Sequence, residues 1–407
     1  MENVSAPRRT FFKTTHFWLL LLVLAFGIVV RLYPTPSSSI VGFDETYYVK
    51  YVQMIDAVGV TNYPSIVEEY ITHLGTMPFS VLPPMRFLYI FAGYLWQSAT
   101  GGSPLSALHY VSCLFSILTL PLVYLFTRRL TDLRTALGML ALMVCSPLAI
   151  YSSQHALSDG FFAFWAVLCL WLLWENLQRP DSGIWLAAFV ASIALMVMTK
   201  ENAFFAYAGL CAVVLTNRWL KFGNVNKSLV VALLIGPLIG VLGLITLAGG
   251  IAPILTLYSL FVKKSVAIPY AIATGDGPWF RYLMDLLLVS PIVLLAAVGS
   301  VFQLAREKKP QLFLTIFIAS SYVLMCNVNH GMNLRYAMMW DLGLRILAFA
   351  QLSCLCEHFG RRKHLVLAFA IVLICAVDLR QYYVFFVENK TYELVSAGLL
   401  HDLLILK

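Results

Sequence analysis

The sequence predicts an all-α polytopic membrane protein, and two observations support this fold class. Of the 407 residues, 60% are apolar and only 12% are charged, whereas charged residues make up about a quarter of a typical soluble chain. Apolar stretches of about 20 residues recur along the whole sequence, and each is long enough to cross about 30 Å of hydrocarbon as a helix. The composition therefore excludes an ordinary soluble fold.

The apolar stretches predict about eleven membrane-spanning helices. Their approximate limits are 16–33, 104–127, 135–151, 159–175, 184–199, 202–217, 229–249, 282–304, 311–328, 336–356 and 364–379. The first stretch follows Arg8, Arg9 and Lys13 as a signal peptide would, but it lacks a small-residue cleavage site, so we interpret it as a retained span. The segment 86–96 is too short to cross, which predicts a re-entrant or interfacial helix, with a further span as the alternative.

The basic residues predict the orientation of these spans. With a cytoplasmic N-terminus, sixteen of the 28 lysines and arginines fall in the cytoplasmic segments RRTFFK, RRLTDLR, QRPD, NRWLKFGNVNK, REKK and GRRK, as the positive-inside rule requires. A spanning 86–96 segment would move RRLTDLR and the later basic turns outside. The long, chemically varied loops then lie on the outer side. The sequence therefore predicts a multi-pass protein of the plasma (inner) membrane with an extracytoplasmic active site.

We expect one membrane domain over residues 1–379, with 34–103 as its first extracytoplasmic loop. Residues 380–407 are predicted to form a short tail, without a large soluble domain. All eight cysteines lie inside or at the ends of apolar runs, which is typical of small core residues rather than of disulfides or metal ligands. The net charge of +8 is spread over short turns and not over one soluble face, so we expect no nucleic-acid partner.

Two adjacent carboxylates, Asp44 and Glu45, follow the first span in the stretch FDETYY. A carboxylate that is partly desolvated beside a second acid is suited to act as a general base. The alternative is that both are solvated or cap a short helix beginning near Thr46. Tyr47 belongs to the stretch ETYYVKYVQMI, which favours a helix with an aromatic face lying along the interface.

A third acid, Asp159, begins the span that follows SSQHALSDG. Ser158, Asp159 and Gly160 together are also typical of a helix N-cap, where an acid suits the helix dipole. His155 lies four residues earlier and is either part of a site or merely interfacial. By itself this motif does not decide between the two interpretations.

Cationic side chains also occur at the predicted outer ends of spans. Lys200 and Glu201 occupy a very short turn, where a cation suits an anionic lipid headgroup and a simple polar turn is the alternative. Arg335, with His330 nearby, could grip a phosphate or could only anchor its span. Arg281 either joins such a site or pairs with Asp285 four residues on. Asp341 and Arg345 have the same spacing inside an apolar run, which favours an internal ion pair.

Taken together, these segments resemble the GT-C glycosyltransferases, specifically the protein O-mannosyltransferase and aminoarabinose (lipid A) transferase superfamily. The similar segments are FDETYY, LPPMRFLYIFAGYLWQSATG, SPLAIYSSQHALSDGFFAFWAVL, MTKEN, GPWFRYL and NLRYAMMW, in that order and on one side. They extend from the first span to about residue 350. The family often has a basic residue shortly before the second acid, where this chain has Gln154 and His155.

The resemblance implies transfer of a sugar from a polyprenyl-phosphate donor to an acceptor outside the cytoplasm. It implies Asp44 as general base, with Glu45 and Asp159 orienting the acceptor or the base. The residues implied to hold the donor phosphate are Lys200, Arg335 and Arg281, and further candidates for substrate contact are Tyr47, Arg86, His155, Glu201 and His330. We expect membrane lipids and the lipid-linked sugar as ligands and no tightly bound cofactor. The acceptor and any dependence on a divalent metal stay open.

The competing function class is a polytopic transporter or lipid flippase, in which the intramembrane acids and Arg345 would line a path. Against it, the outer loops are elaborate, the inner turns are short, and the inverted repeats of many transporters are not visible. A non-catalytic scaffold would leave the outer acids and cations without a purpose. The sequence therefore favours the glycosyltransferase.

Overall fold

The computed structural model describes residues 6–33, 41–269, 272, 277–328 and 333–403, with side chains in the first helix from Thr15 onward. No strand occurs in these residues, which form helices joined by short turns. The helices are α1 (Ala6–Leu32), α2 (Phe43–Val58), α3 (Tyr63–Thr76), α4 (Phe87–Thr100), α5 (Pro104–Leu130), α6 (Leu133–Val144), α7 (Pro147–Ser153), α8 (Ser158–Gln178), α9 (Gly183–Val197), α10 (Ala203–Leu220), α11 (Lys227–Leu247), α12 (Ile251–Ser265), α13 (Arg281–Val289), α14 (Pro291–Val301), α15 (Lys309–Met325), α16 (Asp341–Cys356), α17 (Lys363–Tyr382) and α18 (Ser396–Asp402). A 3₁₀ helix, Leu334–Trp340, leads into α16.

The helices confirm the predicted all-α membrane architecture. Within the described residues, six are long and apolar enough to cross a membrane, or seven if α6 and α7, bent by 58°, form one span. Every predicted span coincides with a helix or a helix pair, but α9, α14 and α15 have only 15, 11 and 17 residues. The predicted number of about eleven spans therefore remains a prediction.

Residues 41–103, which the sequence predicts to belong to the first outer loop, are folded rather than irregular, and the name outer loop is kept for them. The loop contains α2, α3 and α4. Of the apolar segment 86–96, Arg86 is the N-cap of α4 and the other residues lie within this 14-residue helix, whose C-cap Gly101 has a φ of 69°. Buried side chains of α2 and α3, such as Tyr48 and Val67, share one apolar cluster with Phe161 of α8 and Leu244 of α11. Phe161 lies in the first turn of α8 and Leu244 in the last turn of α11. The loop therefore packs over one end of the helix bundle.

The break between α6 and α7 brings the residues after α7 to that same end. Arg31 of α1 is buried and donates hydrogen bonds to the carbonyl oxygens of Met143 (3.2 Å) and Val144 (3.3 Å). These carbonyls lie at the C-terminus of α6, where the helix itself supplies no donors. Arg31 thereby stabilises the break, after which Ser146 and Pro147 begin α7.

Two further expectations are confirmed inside the bundle. Arg345 donates to Asp341, with 2.8 Å between Nε and Oδ1, so the predicted internal ion pair is present. Arg345 also binds Asp378 of α17, at 2.7 Å. All eight cysteines are free thiols.

Candidate active site

Asp44 and Arg335 form an ion pair where the outer loop meets the bundle. Asp44 lies in the first turn of α2, and its Oδ2 accepts a hydrogen bond from Nη2 of Arg335 at 2.9 Å. The carboxylate remains 17% exposed, whereas the Arg335 side chain is only 4% exposed. Arg335 is held at the start of the 3₁₀ helix, because the backbone N–H of Arg335 donates to Oδ1 of the N-cap residue Asn333 at 3.1 Å. Asp44 is thus the accessible partner of a buried cation.

Glu45, beside Asp44 in sequence, points the other way and is fully buried. Its carboxylate accepts hydrogen bonds from the backbone N–H groups of Gly42 (2.7 Å) and Ala156 (2.5 Å). Burial favours the protonated acid, but the contacts with His109 and His155 and the hydrogen bond from Gly42 outweigh it and keep the pKa of Glu45 well below its usual range. Glu45 therefore caps α2 and ties it to the segment after α7.

Arg86 lies just before α4 and joins the outer loop to the turn between α9 and α10. Its Nε donates to Glu201 at 3.0 Å, and its Nη1 donates to the hydroxyl of Tyr48 at 2.7 Å. The Tyr48 hydroxyl also lies 2.8 Å from that of Ser158, at the start of α8. Polar side chains of α2, of the start of α8, of the residue before α4 and of the turn between α9 and α10 therefore meet here.

Lys200 and Asp159 form a second buried ion pair, by a hydrogen bond from the lysine ammonium to the carboxylate. The N-cap of α8 is Leu157 and no side chain caps the helix, so the predicted capping role is wrong, although Asp159 does lie in the first turn, where an acid suits the helix dipole. Lys200 also lies 4.5 Å from the ring centroid of Tyr336, a favourable cation–π distance. Burial lowers the pKa of Lys200 to about 8; Asp159 opposes the shift, while Arg86 and Arg335 add to it.

The three cations are therefore close enough to influence one another, although each has a carboxylate partner. Arg335 is the least satisfied of them. Its Nε and Nη1 are buried and have no hydrogen-bond partner among the residues that the structure describes. An unpaired buried donor costs about 1–3 kcal/mol, so these nitrogens favour an additional acceptor such as a phosphate oxygen.

Three further residues were predicted to belong to the site: Arg281, His155 and His330. Arg281 begins α13; its stem lies against Gly277 and its charge acts on Asp285. His155 is fully buried between the rings of Tyr151 and Tyr392. His330 lies outside the described residues.

Tyr47 faces a different space from the ion pairs. A small cleft lies between α2 and α3, lined by Tyr47, Lys50, Tyr51, Met54, Ile66, Glu69, Tyr70 and His73. It begins one helical turn after Asp44.

The sequence alone gave no role to several residues that complete the cluster. Tyr48 follows Asp44 by one helical turn, a spacing that could have placed it on the same side of α2. Tyr336 directly follows Arg335. Tyr392 and Glu393 come from the tail, and no sequence pattern indicated that they return to the site. In the described part of the chain, no three His, Cys, Asp or Glu side chains are arranged to hold a metal ion.

Comparisons with known proteins identify the family of the chain. Residues 19–252, more than half of the chain, match the family described as dolichyl-phosphate-mannose-protein mannosyltransferase. No curated protein sequence matches the chain.

Among solved structures, the chain is similar to the oligosaccharyltransferase AglB of Archaeoglobus fulgidus in complex with an inhibitory peptide and a dolichol-phosphate. The identity is 14% and the TM-score 0.61, over 94% of this chain but only 56% of that one. It is also similar to ArnT of Cupriavidus metallidurans bound to undecaprenyl phosphate, with 15% identity and a TM-score of 0.52 over 97% of this chain and 78% of that one. At these identities the likeness shows the shared GT-C fold. On the family match, the chain belongs to the dolichyl-phosphate-mannose-protein mannosyltransferase family.

Proposed function

We propose that this protein transfers a sugar from a polyprenyl-phosphate donor to an acceptor hydroxyl on the extracytoplasmic side of the membrane. The family match supports the class of reaction. Solved structures of the same fold hold dolichol-phosphate and undecaprenyl phosphate. The observation that carries the proposal is the pairing of Asp44 with Arg335, whose Nε and Nη1 lack partners among the described residues, beside Lys200 and Arg86.

Asp44 is the residue suited to accept the proton of the acceptor. Glu45 is fully engaged by two backbone amides, and Asp159 by Lys200, whereas Asp44 is partly exposed and has a single ionic partner. When the acceptor oxygen attacks the anomeric carbon, its proton passes to Asp44. The bond between that carbon and the donor phosphate oxygen breaks, and the electron pair leaves with the polyprenyl phosphate.

The cations then have a definite task, because the departing phosphate gains a negative charge. Fixed positive groups in a site that excludes water stabilise such a charge strongly. Arg335 would donate its two unused nitrogens to phosphate oxygens, and Lys200 would neutralise the remaining charge.

The membrane explains why the site lies at the end of the bundle. A polyprenyl tail must stay in the hydrocarbon while its phosphate reaches the polar boundary. Asp44, Arg86, Lys200 and Arg335 all lie where the outer loop covers the bundle end. By the positive-inside rule, the basic turns RRLTDLR, REKK and GRRK are expected in the cytoplasm, which supports a site on the extracytoplasmic side.

The experiment is transfer from radiolabelled polyprenyl-phosphate sugars by the purified protein in lipid, comparing the wild type with Asp44→Asn. Asparagine can still accept the hydrogen bond from Arg335, so the fold is retained while the base is lost. We expect transfer to fall about 10²–10⁴-fold. The measurement is the release of polyprenyl phosphate over time.

The matched control is Asp56→Asn, the same change at an exposed position of the same helix. We expect wild-type transfer from this variant. Full transfer by Asp44→Asn would remove the assignment of the base, and a wild type that releases no carrier phosphate from any donor of the panel would overturn the proposed function.

A further inference from the structure

The chain after α17 returns to the active site instead of leaving the protein. We call residues 391–396 the C-terminal strap. It begins where the N–H of Thr391 donates to the carbonyl of Phe385 at 2.8 Å, which turns the chain back. It then runs beside the segment that carries Arg335, because the N–H of Leu334 donates to the carbonyl of Leu394 at 3.1 Å. The sequence predicts only a short tail over residues 380–407.

The strap also contacts the start of α2, which carries Asp44. The ring of Tyr392 lies so close to Gly42 that a Cβ there would sit 1.9 Å from its Cζ, so no larger residue fits at position 42 without displacing the ring. The same ring centroid is 5.8 Å from the guanidinium carbon of Arg335. The backbone carbonyl of Tyr392 accepts from the hydroxyl of Tyr151 at 2.7 Å. The strap is thus fixed against both halves of the Asp44–Arg335 pair.

A chain of two hydrogen bonds links the strap to Arg335. Nδ2 of Asn333 donates to Oε2 of Glu393 at 2.6 Å, and Oδ1 of Asn333 accepts from the backbone N–H of Arg335 at 3.1 Å. An asparagine amide has one donor end and one acceptor end. A carboxylate at position 393 can only accept when ionised, so it directs the donor end toward itself and the acceptor end toward Arg335.

We propose that Glu393 is a positioning residue for the donor: through Asn333 it fixes the cap that presents the guanidinium of Arg335. This inference rests on the proposed function, in which Arg335 receives the donor phosphate. Glu393 does not need to touch the substrate. Glu393 holds the acceptor oxygen of Asn333 in the position where it caps the 3₁₀ helix. The cap in turn holds the unused nitrogens of Arg335 in the site.

The kinetic test is a double-mutant cycle of Glu393→Ala and Asn333→Ala. We expect each single change to raise the donor KM about tenfold, as the loss of one buried hydrogen bond does, with a smaller change in kcat. The double variant should be no worse than either single one, because both changes break the same chain of contacts. Glu393→Gln should restore a near-normal donor KM, since its amide oxygen still accepts from Asn333. Additive single effects, or a glutamine variant as poor as the alanine one, would overturn the inference.

A second measurement does not depend on sugar transfer. Hydrogen exchange of a peptide covering 333–340 should become faster in Glu393→Ala and Asn333→Ala, because the Arg335 amide loses its fixed acceptor. It should stay at the wild-type rate in Glu393→Gln and in the control Glu388→Ala, which changes an exposed glutamate shortly before the strap. Unchanged exchange in Glu393→Ala with an active wild type overturns this inference alone. A wild type that transfers no sugar overturns the proposed function and the donor role of Glu393 with it.

Discussion

Two buried arginines of this protein, Arg335 and Arg345, differ in how fully their nitrogens are used. Arg345 donates Nε to Asp341 and Nη1 to Asp378, and its Nη2 lies 3.4 Å from the hydroxyl of Ser290. Arg335 donates only Nη2, to Asp44, and its other two nitrogens have no partner among the described residues. Both side chains are less than 5% exposed.

The difference separates a structural ion cluster from a site that is prepared for a ligand. A buried charge is tolerated when each of its polar atoms has a partner. Arg345 meets this condition with protein groups that all lie within the helix bundle, which argues against an open polar path for a transporter there. Arg335 leaves donors unused at the end of the bundle, where a lipid phosphate can arrive. Satisfaction of the guanidinium hydrogen bonds, not the presence of a charge, distinguishes the two arginines.

The largest expected effects come from exchanging each arginine for methionine. Arg345→Met leaves two carboxylates unpaired in the bundle and should lower the free energy of unfolding by about 3–5 kcal/mol. Arg335→Met leaves only the partly exposed Asp44 and should cost less stability, while the donor kcat/KM falls about 10²-fold through the lost phosphate contacts. Thermal unfolding in detergent and donor kinetics measure the two effects. Equal destabilisation by both changes would show that Arg335 is as structural as Arg345.

A smaller effect is expected from Lys200, the second cation of the site, and it is seen in how the donor kcat/KM depends on pH. The pKa of Lys200 is lowered to about 8 by burial, so the ammonium is charged below pH 8 and loses its proton as the pH rises through this value. We therefore expect the donor kcat/KM to decrease above pH 8, by up to about tenfold per pH unit. Lys200→Arg should remove this decrease because arginine keeps its charge. The same decrease in the arginine variant would assign it to another group.

The smallest effect is expected for an ion pair that is neither buried nor part of the site. Lys50 lies 3.7 Å from Glu69, and their side chains are 46% and 60% exposed. Exposed pairs contribute about 0–1 kcal/mol, so Lys50→Ala should barely change the free energy of unfolding or the donor KM. Donor binding that weakens as much as in Arg335→Met would show that the phosphate site extends to the cleft between α2 and α3.

Part of the site was predictable from local sequence. Asp44 stands out because carboxylates are scarce in the chain and this one follows a span. Lys200 stands out because it lies in a very short turn between two apolar runs. The pair of Asp341 and Arg345 follows from helical spacing alone. By contrast, the assignment of Arg281 to the phosphate site remains a prediction. Its stem lies against Gly277 and its charge acts on Asp285.

The different fates of Asp44 and Glu45 could not be read from their sequence. Adjacent residues of a helix point in directions about 100° apart, but which direction faces the amides of Gly42 and Ala156 depends on how α2 packs against the segment after α7. The same holds for Glu393. It lies 60 positions from Asn333, and no pattern in the tail indicates where the chain turns back.

The sequence by itself determined the helical membrane fold, because a chain in hydrocarbon must satisfy its backbone hydrogen bonds internally and long apolar runs do so as helices. It also determined that acids and cations lie mainly at the helix ends or pair with each other inside the bundle, as Asp341 and Arg345 do, since the hydrocarbon excludes isolated charges. Only the tertiary structure decided which of them pair. Asp44 and Arg335 are 291 positions apart, and their contact depends on the packing of a folded loop, a helix end and the C-terminal strap, which no local pattern encodes.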